Sequence, residues 1–376
     1  MKLSKSIDFL LENAGPVIQY RLRKEILCNL KKTEEENLLE QIYQMPHFKL
    51  LQRYIKPNGY IGSGAHSWDN WRGVILHETP LQDGEAAARL LSYYALPKTH
   101  PIIVNFVAAM RDEETLRKEF SYIPPEVERY KNRFRGISSG FCLMILIYTM
   151  QAMLGYGDDE YVRPFQNVAL EAFKSILSLS SLGEITKIRQ SKAKCNYPYI
   201  EESMSFPCQY HLEVLAYTSA WRTPENIKLM ADALDHYNTI PKGANPIHVK
   251  IGSKYYVPFP LNMTNSPIRP FRADLIDSIT YRRLLTEIAM LGVGENARVI
   301  KDSIAGIKDA IGDDGILKMR FDLPHNKRYS PKNIEYPNPY ADVRLEPDYK
   351  RKYALECDLT FWAVQFLCLC GTADFH

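Results

Sequence analysis

Apolar residues recur at spacings of three and four along most of the chain, as in Glu85-Ala86-Ala87-Ala88-Arg89-Leu90-Leu91-Ser92-Tyr93-Tyr94, and strand-like alternation is scarce. The pattern predicts an all-α protein. Near the N-terminus it gives helices over 6–13, 16–30, 34–44 and 48–55, the second opening on Pro16, a residue suited to a first helical turn. Five later helices, near 80–95, 138–154, 207–221, 271–291 and 354–369, are poor in charge beyond their first turns. Amphipathic helices near 99–114, 159–181, 224–238 and 295–311 lie between them. A charge-poor helix is buried around its circumference and an amphipathic one faces water, so the alternation predicts an inner and an outer layer.

An internal echo supports this. Leu154-Gly155-Tyr156-Gly157-Asp158 and Leu291-Gly292-Val293-Gly294-Glu295 each sit between an inner and an outer helix. Repeated helix pairs that close into a ring leave a central cavity, and residues 59–376 are predicted to form that ring, with residues 1–58 as helices packed on it. Aromatic loops, among them Tyr255-Tyr256-Val257-Pro258-Phe259-Pro260, lead toward the inner helices and are expected to roof the cavity. The stretches 182–206, 239–269 and 316–350 exceed the roughly 15 residues beyond which loops usually serve a purpose.

Inner helix, Gly- or Pro-bearing turn, outer helix and a Gly-rich loop such as Gly312-Asp313-Asp314-Gly315 together resemble the repeat of the α/α toroids: squalene and hopene cyclases, protein prenyltransferase β subunits and many uncharacterised bacterial relatives. The opening Leu10-Leu11-Glu12-Asn13-Ala14-Gly15-Pro16-Val17-Ile18-Gln19-Tyr20-Arg21 also resembles the start of those relatives. The resemblance implies the fold across residues 60–370; activity is carried less safely. Neither Gly157-Asp158-Asp159-Glu160 nor Gly312-Asp313-Asp314-Gly315 reproduces the Asp-x-Asp-Asp acid of the cyclases, and no Asp-Asp-x-x-Asp is present.

Inner helices aimed at one cavity bring their first turns together: Gln82, Asp83 and Glu85; Ser138, Ser139 and Cys142; Cys208, Tyr210 and His211; Arg272, Asp274 and Asp277; Glu356, Cys357 and Asp358. Convergent carboxylates in a semi-apolar site split their pKa values and serve as acid and base, which makes Asp83, Glu85, Asp274 and Asp358, with His77 and His211, the candidate catalytic groups. First-turn acids also cap helices, so each has a structural explanation beside the functional one. Ser67-Trp68-Asp69-Asn70-Trp71-Arg72 is the densest polar-aromatic segment. Trp68, Asp69 and Trp71, with Tyr210, Tyr256 and Trp362, are the candidate ligand-binding residues. Cys208 and His211, three apart on one helix face, allow a shared zinc if Cys357 or another ligand joins them; no other cofactor is implied.

With 47 basic and 44 acidic residues the formal charge is +3, and the basic residues are scattered along the sequence, so no nucleic-acid partner is expected. Residues 136–157 carry no charge but lack a sustained apolar run of about 18 residues; a buried helix is expected, not a membrane span. Seven cysteines without a C-x-x-C pair, and a start broken by Asp8 and Glu12, point to a reducing cytoplasm. The leading expectation is an enzyme using acid–base chemistry on a largely apolar small molecule. Its alternatives are a zinc enzyme of the same fold, a non-catalytic ligand-binding or scaffold protein, and a glycan-active helical barrel.

Overall fold

The computed structural model describes residues 3–65, 83–119, 142–189, 197–201, 204, 206–243, 245, 247–251, 253–256, 266–276, 281–319, 345–346 and 351–373. They form fourteen α-helices and one small sheet. The first four helices are α1 (Ser4–Asn13), α2 (Pro16–Arg21, continuing as a π turn over Leu22–Ile26), α3 (Lys32–Gln44) and α4 (Pro46–Arg53). Then follow α5 (Gly84–Tyr93), α6 (Pro101–Arg111), α7 (Glu113–Glu119), α8 (Cys142–Gln151), α9 (Arg163–Lys174), α10 (Gln209–Ala216) and α11 (Pro224–Thr239). The last three are α12 (Tyr281–Met290), α13 (Arg298–Ala310) and α14 (Ala354–Leu369). The mostly helical expectation therefore holds. Pro16, Pro46, Pro101 and Pro224 each open a helix, where a missing N–H leaves no bond unmade.

The charge-poor helices pack in sequence order: α5 on α8, α8 on α10, α10 on α12, and α12 on α14. α14 then packs on α1 and α2, and Arg21 at the end of α2 donates to the carbonyl of Tyr93 at the end of α5 (3.3 Å). Phe48 on α4 stacks on Tyr94 at 6.4 Å, so the N-terminal helices share the core of the later ones. α8 carries no charged side chain, and Ile145, Leu146, Ile147 and Tyr148 are all buried. Among the described residues no helix is long and apolar enough to cross a membrane.

The echo is a pair of helix exits. Gly155 and Gly292 both have positive φ, 86° and 76°, the left-handed geometry that ends a helix without a Cβ clash. Asp158 just beyond the first exit accepts from the backbone N–H groups of Ser219 (2.9 Å) and Ala220 (2.8 Å) and from the Ser219 hydroxyl (2.6 Å). Burial pushes its carboxyl up, but these bonds and one from Gln166 hold it down at about 2. Asp159 pairs with Arg111. These acids fasten one turn to the next.

A second echo is clearer in structure than in sequence. Ile55 bridges Ile61 and Ile311 bridges Leu317, each closing a loop after an outer or N-terminal helix. In one, the Lys56 N–H bonds the Tyr60 carbonyl (2.8 Å) and the Gly59 N–H that of Lys56 (2.9 Å); in the other, Gly312 bonds Ile316 (3.1 Å) and Gly315 bonds Gly312 (2.8 Å). Asn58 and Asp314 accept from the N–H two residues on, at 3.1 and 3.2 Å. Gly59 and Gly315 share positive φ, 86° and 79°. The same loop is built twice.

Two of the boundaries that differ from expectation have a visible cause. The helix expected over 271–291 is described as α12 from Tyr281, preceded by a 3₁₀ turn at Ala273–Leu275. The Tyr281 hydroxyl accepts from the Arg272 N–H (2.8 Å) and donates to the Pro270 carbonyl, so the backbone there bonds a side chain instead of a helical ladder. The outer helix expected to run to 114 ends at Arg111, because Asp112 caps α7 by accepting from the Thr115 N–H (2.9 Å).

Two of the long loops contribute short strands to one sheet of order β1-β2-β3-β4: β1 (Lys187–Arg189), β2 (Tyr197–Glu201), β3 (His248–Ile251) and β4 (Lys254–Tyr256). The outer pairs are antiparallel, and β2 runs parallel to β3, joining a segment before α10 to one after α11.

Candidate functional site

Where α5, α10 and α12 meet, the charge-poor helices carry a buried network of charge. Glu85 and Arg89, one turn apart on α5, bond through Oε1 to Nε (2.9 Å) and Nη2 (2.6 Å). Arg89 Nη2 also reaches both oxygens of Glu213 on α10, at 2.7 and 2.8 Å, and its Nη1 lies 3.6 Å from Glu287 on α12. Arg283 stands 3.7 Å from Glu213 and 3.5 Å from Glu287. Tyr210 donates to Glu85 Oε2 (2.9 Å), and the Gln209 amide donates to Glu287 Oε2. All of these side chains are essentially inaccessible to water.

Three carboxyls meet two guanidiniums, Arg89 and Arg283, and the imbalance falls on Glu287. Burial first, and the neighbouring Glu213 carboxylate second, push its carboxyl well above the ordinary range. Burial opposes charge on Arg89, yet Glu213, Glu85 and Glu287 outweigh it and keep the guanidinium firmly protonated.

Beside this network lies a small cleft of about 60 Å³. Glu287, Arg283 and Arg282 stand on its polar side, with the tyrosines Tyr93 and Tyr217. Across from them α14 contributes Asp358, Phe361 and Trp362. Trp362 is fixed by a bond from its indole N–H to Thr286 Oγ1 (3.0 Å), and Asp358 Oδ1 accepts from the Leu345 N–H (3.0 Å). The Arg21 guanidinium lies over the Phe361 ring at 5.3 Å. The cleft thus has an aromatic wall, Asp358 on one helix and, on another, a carboxyl whose proton affinity is raised by burial.

The predicted residues divide sharply. Glu85 and Tyr210 enter the network, and Asp358 and Trp362 line the cleft. Asp83 is the N-cap of α5, accepting from the Ala86 N–H (2.8 Å). Asp274 was expected among buried carboxylates and is instead exposed, paired with Arg272 at 2.8 Å, because the chain there is a surface 3₁₀ turn. His77, Trp68, Asp69 and Trp71 lie outside the described residues; Tyr256 pairs with Val249 in β4, and its side chain is likewise outside them.

Cys208 and His211 form a reciprocal helix cap. The Cys208 N–H donates to His211 Nδ1 (3.0 Å), with the thiol sulfur 3.2 Å from the same nitrogen. Burial lowers the imidazole to about 4, so it is neutral with its proton on Nε2. Cys357 has other neighbours: burial, then the nearby Glu346 carboxyl, push its thiol up to about 12. Among the described residues no three His, Cys, Asp or Glu side chains are grouped to hold a metal.

Arg89, Glu213, Arg283 and Glu287 were missed by the first-turn argument. Their signal was present as Glu85-x-x-x-Arg89 and Arg283-x-x-x-Glu287, opposite charges one turn apart on helices otherwise too apolar to face water. Comparison of the chain with protein-family models, with curated proteins and with solved structures finds no match.

Proposed function

We propose that this protein is an acid–base enzyme of α/α-toroid architecture whose active site is the cleft between α12 and α14. The toroid reading is supported by the packing order from α5 to α14, the return of α14 onto α1 and α2, and the two turn types that each occur twice. The observation that carries the function is Glu287, a buried carboxyl pushed well above its ordinary range by burial and by Glu213, among the residues that line the cleft. Strongly perturbed acids in clefts are characteristic of catalysis. In this reading Glu287 is the general acid, Glu213 raises its proton affinity, and Asp358 is the acidic group on the neighbouring helix.

The ligand is a small molecule with an apolar face for Trp362 and Phe361 and a polar group directed toward Glu287 and Arg282. It is proposed as amphipathic, more polar than the largely apolar molecule expected from the sequence. The test compares wild type with Glu287→Gln, an isosteric change that removes the titrating proton. Each protein is incubated with a small-molecule cell extract, and both solution and protein fractions are read by mass spectrometry. Wild type should deplete at least one compound that Glu287→Gln leaves intact while keeping its melting temperature within a few degrees. Equal depletion by both proteins, or none by wild type, overturns the reading.

A scaffold is the second reading, favoured by how fully the carboxylates of Glu85 and Glu213 are occupied by Arg89. It predicts that Glu287→Gln changes stability alone.

A further inference from the structure

The sheet brings together residues that are dispersed in the chain. Pairing registers place Lys187 beside Tyr199, Arg189 beside Tyr197, Tyr199 beside His248, Glu201 beside Lys250, and Lys250 beside Tyr255. Because side chains alternate along a strand and directly paired residues share a face, all eight lie on one side. That side carries three tyrosines, a histidine and three permanent cations against one acid. The opposite side presents Ile200 and Val249, both 5% exposed, to the core.

The charged face is accessible. Lys187 and Arg189 are exposed, and the tyrosines, His248 and Lys250 are half-buried. Glu201 pairs with Lys187 at 3.0 Å and stands 3.8 Å from Lys250, which leaves the face positive with Arg189 unopposed by an acid on it. The rings are already organised as a platform: Tyr199 and Tyr255 meet edge to face at 5.0 Å, Tyr197 and His248 lie 5.0 Å apart, and the Arg189 guanidinium sits 4.3 Å over Tyr255. None of these residues lines the cleft.

We propose that this face of the sheet binds single-stranded nucleic acid, with unpaired bases stacking on Tyr197, Tyr199 and Tyr255 and phosphates lying against Lys187, Arg189 and Lys250. Aromatic rings clustered on one face and bordered by cations match both components of an unpaired strand, its exposed base faces and its regularly spaced negative charge. A duplex hides its base faces within the stack, and an anionic polysaccharide has none, so neither uses the rings. The near-balanced charge of the whole chain had argued against such a partner, because a count over the sequence does not register that two separated loops pair in parallel.

Fluorescence anisotropy with labelled oligo-dT and oligo-U of about 12 nucleotides, within the site sizes of such platforms, tests the proposal. Both strands should bind, with a log–log salt slope of about −2, the expectation for three cations on a single strand. Tyr199→Ala and Tyr255→Ala should each weaken binding about tenfold, the lower part of the range for loss of one base stack, while Tyr199→Phe retains affinity. Arg189→Glu should weaken it at least as much and flatten the salt slope. Melting temperatures of these surface variants are measured alongside and should match wild type. Absence of binding up to about 100 µM protein, the weak end of non-specific affinity, overturns the proposal. So does binding that the tyrosine variants leave unchanged, or that heparin and a duplex match, since that pattern is attraction to any polyanion.

Discussion

Glu346 offers a test of how burial and pairing compete in this protein. Its carboxylate is 1% exposed, accepts the Gly15 N–H at 2.6 Å through Oε1, and meets Arg351 Nη1 at 2.6 Å through Oε2. Arg351 also donates to the Asn13 carbonyl (2.7 Å), so the pair fastens the segment before α14 to the turn between α1 and α2. Burial raises the carboxyl to about 7 against the opposing pull of Gly15 and Arg351. A folded state that keeps its proton to about 7 while the unfolded chain releases it near 4.5 binds more protons across that window. Stability therefore falls as pH rises from about 4.5 to 7, and is level above.

The full rise corresponds to about 3 kcal/mol, undiscounted because the group is enclosed. His211, neutral to about 4, works in the opposite sense over much of the same range, so wild type alone does not isolate the effect. Glu346→Gln keeps the shape and cannot ionise. Denaturant unfolding of both proteins from about pH 4.5 to 8 gives a difference curve in which distant groups cancel, and the neighbouring Cys357 thiol, pushed up to about 12, stays protonated throughout. Wild type should lose about 3 kcal/mol relative to the variant as pH rises. A flat difference would place the carboxyl at its ordinary value, and a rising one would mean that Arg351 and Gly15 outweigh burial.

Two other predictions concern groups whose role the sequence left open. His211 should titrate near 4 by proton–carbon NMR of its imidazole; its stabilising contribution is complete above about 6.5 and is lost as pH falls toward 4, and a midpoint near 6.5 would refute the buried neutral cap. Gly292→Ala should cost about 1 kcal/mol, the strain of a positive φ with open space around it, whereas Gly315→Ala should cost about 1–3 kcal/mol more, because its Cβ would fall 2.6 Å from the Ser6 backbone nitrogen; equal losses in a denaturant series would refute the close packing of that loop on α1.

The helices were legible because their punctuation is chemical and local. Proline opens α2, α4, α6 and α11, positive-φ glycines follow Leu154 and Leu291, and the limits expected for the last helix, 354–369, agree with α14. The sheet was not legible. Strands of three to five residues offer too little alternation to register, and their pairing joins loops on either side of α10 and α11. Asp274 and Asp358 show the same limit at single residues: both precede or open an expected inner helix, yet one is a surface partner of Arg272 and the other lines a cleft. Burial separates them, and burial depends on which distant segment arrives.

Asp83 and Glu85 carry this further, standing two residues apart at the start of one helix, both fully buried. Asp83 satisfies a backbone N–H of its own helix, a bond that any first turn wants and that needs no partner from elsewhere. Glu85 answers to Arg89, Tyr210 and, through Arg89, Glu213, which is 128 residues away by number and adjacent in space. Such a network is a poor source of stability, since buried ion pairs are commonly matched or exceeded by apolar residues of the same size. A core of alanine, leucine and phenylalanine surrounds this one and would pack without it. What the charges supply that apolar side chains cannot is a fixed electrostatic setting for Glu287, with Arg89 and Arg283 limiting how far its proton affinity rises and Glu213 ensuring that it stays high. That division of labour is why Glu287, the carboxyl of the network that lines the cleft, is the residue on which the functional proposal stands.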